Sequence, residues 1–279
     1  MAGAIALLAV GLAARLAGRS GRDGRALSGG IALTVAALLA ISRERAVPVE
    51  VLVAVAGIGA AGAGLGSRPR WLLRGALAAP FATLLAVDSS PTAWTRVAVG
   101  LAATLVALSA ADLDRRLGWG MLTPVLYAMS VAGVFVAVPD TEEAAALLGA
   151  ALPLAVLAWR VPWARLGSAG AASATALLIW TTAVGGRGRP PSIVGGLACL
   201  GLLAVVPLLD LLLGRGRFRS PSPTRAVLVH GVPVLVAARI AGISPHMDVA
   251  VTFALLSVAI AMGGAYALRG RPARDVRPA

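Results

Sequence analysis

Lysine is absent from this 279-residue chain, and charge of either sign is scarce. Only 13% of residues are charged, against roughly 25% in soluble domains. That shortage excludes a soluble globular class. A single cysteine, Cys199, rules out an intrachain disulfide and any multi-cysteine metal site. Within its apolar run it reads as a small buried hydrophobe. The chain has no His/Glu zinc pair, no Gly-x-Ser-x-Gly elbow and no phosphate-binding glycine loop. No cofactor and no metal are therefore expected, and the balance leans away from an enzyme.

What remains is apolar. Hydrophobic residues make up 58% of the chain and the mean hydropathy is +0.86, which places it in the membrane class. All 25 basic residues are arginine, against 12 acidic residues, for a formal net charge of +13. The missing lysine, with heavy use of Ala, Gly, Arg, Pro and Val, points to a G+C-rich genome. Nucleic acid is not expected as a partner, because the arginines punctuate apolar runs instead of gathering on one face. The expected partners are the lipid bilayer and, for a permease, membrane or ATPase subunits. Residues 1–14 carry no basic residue ahead of their apolar run, and arginines follow it. A cleavable signal peptide is therefore not expected.

A spanning helix needs about 20 mostly apolar residues. The pattern predicts about eleven, an all-α polytopic bundle, near 2–18, 26–42, 48–66, 71–87, 97–111, 117–138, 144–161, 168–185, 192–213, 226–244 and 247–268. The bundle would form one domain over 1–268, with a short basic tail at 269–279. Counting arginines on alternate sides puts nineteen on one and five on the other, with Arg239 left inside a helix. Cytoplasmic loops hold the arginine excess. The N-terminus is thus expected outside and the C-terminus inside, in a bacterial cytoplasmic membrane. Trp71, Trp119, Trp159 and Trp163 fall near cytoplasmic ends, and Trp94 and Trp180 near outer ends. All six suit interfacial rings.

The stretch 192–244 is expected to organise the chain. Two apolar runs, 192–214 and 226–244, flank a turn holding Arg215, Arg217, Arg219 and Arg225, the pattern of a helical hairpin in lipid. Polar side chains interrupt it, and charges in a membrane default to functional hypotheses. Asp210 and His230 fall at similar depth on the cytoplasmic side, where they would pair as a gate, a substrate contact or a helix pin. Arg239 is the deepest charge. It would serve an anion site facing an outer cavity, or pair with Asp248 or His246 beyond the outer turn. These four, Asp210, His230, Arg239 and Asp248, are the substrate-binding or gating candidates. Arg74 and Arg160 are expected against lipid phosphates, and Asp112 to Arg116 as a solvated helix end. Asp112-Leu-Asp114-Arg115-Arg116 is similar to one motif of the membrane aspartyl peptidases that process prepilins. Their second Gly-x-Gly-Asp aspartate is missing here, which excludes that family.

Pro80, Pro124, Pro153, Pro207 and Pro233 fall inside expected helices, where each frees a carbonyl. The glycine-rich run 57–66 suits close helix packing. Residues 124–133 resemble 233–242, a hint of a parallel repeat over 97–161 and 192–268. Helix number, short loops and proline-broken helices point to a transporter or permease for a small or lipophilic solute. The lack of a mid-membrane acid argues against ion coupling. The alternatives are an integral-membrane enzyme acting on a lipid-linked substrate at the cytoplasmic face, and a noncatalytic subunit of a larger complex.

Overall fold

The computed structural model describes residues 21–63, 69–90, 92–115, 119–138, 142–160, 165–213 and 223–267. It is all-α, and no strand occurs among these residues. The helices are α1 (Gly21–Glu44), α2 (Val49–Ala63), α3 (Pro69–Ser89), α4 (Ala93–Arg115), α5 (Trp119–Ala137) and α6 (Glu142–Arg160). They continue with α7 (Ser168–Gly185), α8 (Pro190–Cys199), α9 (Gly201–Leu213), α10 (Val232–Ile243) and α11 (Met247–Ala267). Within the described residues, each stretch expected to span, from 26–42 onward, falls on helix. The first, 2–18, and the tail 269–279 lie outside the described residues.

Five helices are long and apolar enough to cross a membrane, or six if the bent pair α8–α9 counts as one. Four others are apolar but shorter. Contacts between helix ends join residues expected on the same side. Arg45 meets Glu143 and Asp88 meets Arg187 at one end. Arg115 meets Ala63, and Gly30 meets Leu166, at the other. We call these the Asp88 end and the Asp114 end.

The hairpin 192–244 is not the centre of the bundle. That place belongs to α7, which packs against α1 through α6 and against α8. Of its residues 89% are buried. Its Ala, Gly, Ser and Thr content explains this, because small side chains let backbones approach closely where lipid supplies no hydrophobic drive. At one close crossing Gly30 of α1 meets Gly170 of α7. A Cβ on Gly170 would lie 2.5 Å from the Gly30 Cα. Next to it the Gly30 N–H donates to the Leu166 carbonyl at 2.7 Å. Ser173 donates to the Val55 carbonyl of α2 (3.2 Å), and the buried Tyr127 hydroxyl of α5 to the Ala174 carbonyl (2.9 Å).

The interruption of the 192–213 run falls before Pro207, which sits inside α9. The chain bends by 52° between α8 and α9, around Leu200. There the Leu200 N–H bonds the Leu197 carbonyl (3.1 Å) and the Leu203 N–H bonds the Leu200 carbonyl (3.0 Å). These tight three-residue steps withdraw the α-helical donor from the Cys199 carbonyl. A second irregularity precedes α10, where Ala226–Gly231 is π-helical and the Val232 N–H reaches the Val227 carbonyl. Pro233 has no N–H to offer the Val229 carbonyl, so a regular α-turn is broken there.

Segments 124–133 and 233–242 come together on neighbouring helices. α5 and α10 pack on each other, and both pack on α8. A Cβ on Gly242 would meet the Ala137 carbonyl oxygen at 2.7 Å, and one on Gly133 would meet the Cys199 Sγ at 2.5 Å.

Candidate functional site

Three polar places stand out among the described residues. The first is the α8–α9 break. The freed Cys199 carbonyl accepts a hydrogen bond from the Ser130 hydroxyl of α5 at 3.1 Å. That hydroxyl also lies 3.0 Å from the Leu126 carbonyl of its own helix, so one proton serves two acceptors. Ser130, Cys199 and Leu200 are all buried. An irregular backbone inside a membrane persists only where protein or a cavity satisfies it, and here one serine does so.

The second place is a cleft of about 470 Å³ at the Asp88 end, between the start of α8 and the end of α10. Arg189, Ser192, Arg239 and Ile243 are among its lining residues. Arg239 donates to the Val136 carbonyl at the end of α5. Among the described residues neither Arg189 nor Arg239 has a carboxylate partner. The expected Arg239–Asp248 pair is not formed: Asp248 is exposed at the start of α11, and its carbonyl accepts from Thr252 (2.8 Å). His246 is engaged through its backbone with Ser244. Arg239 points instead from α10 to the end of α5, a helix distant in sequence.

The turn before α8 separates its arginines. Gly188, at φ 81°, takes the left-handed conformation that glycine tolerates. Arg187, on one side of it, lies 3.9 Å from Asp88. Arg189, on the other, lines the cleft. α8 opens with Pro190 and Pro191, which have no N–H, and the Ser192 N–H already bonds the Arg189 carbonyl (3.0 Å). The cationic character of the cleft therefore comes from its two guanidinium groups.

The third place is at the Asp114 end. Arg74, only 3% exposed, lies close to Asp112 and Arg115 of α4. It is inside the protein and not against lipid as expected; the Arg160 side chain is outside the described residues. Asp114 is 4% exposed, so this helix end is not solvated as expected. Its carboxylate accepts from the backbone N–H groups of Leu166 and Gly167 at the start of α7, near Arg165 and Arg115. One of its oxygens, Oδ1, has no donor. A carboxylate at a helix N-terminus is held by the aligned peptide dipoles. The sequence hides this arrangement because its partners lie about fifty residues away.

Asp210 falls in α9 and His230 in the π-helical turn, but both side chains lie outside the described residues, so their pairing is not addressed. Trp180 departs from the interfacial expectation: it is 0% exposed and donates from Nε1 to Asp88 at 2.7 Å. Trp94 and Trp159 are exposed, as interfacial rings would be. Among the described residues no three His, Cys, Asp or Glu side chains gather as a metal site requires.

No known protein family matches the chain, and no curated protein does either.

Proposed function

We propose that this chain is a multi-pass membrane transporter or permease-like protein for a small or lipophilic solute, with no obvious coupling to an ion. The observation that carries the reading is the discontinuous pair α8–α9, bent by 52° with a backbone carbonyl held by one side-chain donor. Transporters build substrate sites from broken helices, whose two halves rearrange around a binding point near mid-membrane. Described acidic side chains sit near helix ends, as Glu50, Asp88, Asp114, Glu143 and Asp248 do. That distribution favours an uncoupled mechanism.

The accompanying topology is eleven spans with the N-terminus outside and the C-terminus in the cytoplasm of a bacterial cell. The arginine asymmetry, nineteen against five, supports it. Reporter fusions to both termini test it, and both ends in one compartment would refute it.

The transport reading has a test that needs no substrate. Cys199 is the single cysteine and is buried at the break. A transporter must open this region to one side at a time. Wild-type protein in liposomes is treated with a charged, water-soluble methanethiosulfonate. Slow, complete modification of Cys199 without denaturant is expected. A thiol that reacts only after unfolding would defeat the reading.

A further inference from the structure

We propose that the cleft between α8 and α10 binds a phosphate-bearing anion, and that its apolar flank suits the acyl chain of an anionic lipid whose headgroup phosphate the arginines hold. The inference rests on the chain spanning a membrane, not on its moving a solute.

Charge balance supplies the first argument. Three arginines lie around the α7–α8 turn and the end of α10. Arg187 has Asp88 at 3.9 Å. Arg189 and Arg239 line one cleft with no carboxylate among the described residues. Two like charges on shared low-dielectric walls repel each other, and an anion between them reverses the sign of that term. Arg239 directs one N–H to the Val136 carbonyl, which fixes the stem while a guanidinium keeps four further donors. Such forks match phosphate oxygens in pairs.

Size and surroundings supply the second. About 470 Å³ is within the range of small-molecule sites, roughly 300–1,000 Å³. Ile243 lines the cleft and ends an exposed stripe on α10 that also holds Val232, Val236 and Ile240. The spacing of three and four residues puts these side chains on one helix face. On a membrane helix such a face meets acyl chains. A ligand with a phosphate at one end and a hydrocarbon tail at the other would fill the cleft and follow the stripe.

The test is binding to purified full-length protein, read by native mass spectrometry. Wild type, Arg189→Gln, Arg239→Gln and the double variant are each incubated with phosphatidylglycerol or phosphatidylcholine of equal chain length. Parallel samples contain inorganic phosphate. Wild type should retain one phosphatidylglycerol in preference to phosphatidylcholine, and each single variant should weaken that retention by about tenfold, the cost of a charged hydrogen bond. Displacement of the lipid by millimolar phosphate would assign the site to a soluble phosphate anion, which keeps the proposed chemistry and changes its source. Equal retention of lipid and phosphate by wild type and double variant would overturn the proposal. Arg189→Gln guards against misfolding, because Arg189 is exposed. Failure of binding here with Cys199 still reactive would leave the transport reading standing, and the reverse outcome would leave the anion site standing.

Discussion

The indole Nε1 of Trp180 donates to Asp88 at 2.7 Å, joining the central helix α7 to the end of α3. Trp180 is fully buried, so its N–H has no water to turn to. Arg187 approaches the other carboxylate oxygen of Asp88 at 3.9 Å from a half-exposed position, where ion pairs contribute about 0–1 kcal/mol. Asp88→Ala should therefore cost about 1–3 kcal/mol, the penalty for orphaning a buried donor. Arg187→Ala should cost less than 1 kcal/mol, on the order of the surface-pair value. Thermal unfolding in detergent measures both. Equal losses would mean that the ion pair, not the indole, holds this end together.

Ser130→Ala keeps volume nearly constant and removes the donor from the Cys199 carbonyl. The break should become easier to open. A loss of about 1 kcal/mol raises the open population about fivefold, which the rate of Cys199 alkylation reports. An unchanged rate would show that the bend does not depend on Ser130.

Gly170→Ala should destabilise the protein by about 1–3 kcal/mol through overpacking, because its Cβ would press on the Gly30 backbone. A rigid main chain cannot move aside as a flexible side chain can. Gly75→Ala provides the contrast: nothing lies within 4 Å of its Cβ position, and alanine in a helix is favoured by about 0.5–1 kcal/mol. Melting temperatures should therefore fall for the first variant and hold or rise for the second.

Asp114→Ala removes the acceptor that the start of α7 uses, and a cost of about 1–3 kcal/mol is expected from the stranded N–H groups. Asp114→Asn keeps an acceptor oxygen and should be milder. Circular dichroism during heating would separate them. Equal losses in Asn and Ala would indicate that the negative charge near Arg115 and Arg165, not the hydrogen bonding, matters most.

Helix content and its placement were legible because hydropathy is a local property. Each run from 26–42 onward contains enough apolar residues to demand a helix wherever the backbone cannot bond to water. The alternation of helix ends was legible too, since arginines mark the turns. Ser130 and Cys199 were not. A broken helix can be read from sequence when proline causes it, as at Pro233, but the bend near Leu200 depends on a hydroxyl from another helix. Arg74 and Asp114 misled for a similar reason. A charge near a helix end looks solvated until a neighbouring helix closes over it.

By itself the amino-acid order determined that this chain must be a set of apolar helices with arginine-marked turns, because burial from water and the scarcity of charge act residue by residue. Which helix lies at the centre was decided only in three dimensions. α7 looks like any other run, yet its small side chains admit seven neighbouring helices, and closeness of approach is a property of two surfaces. The same holds for the cleft. Arg189 and Arg239 are fifty positions apart and share one wall only because α8 and α10 pack together.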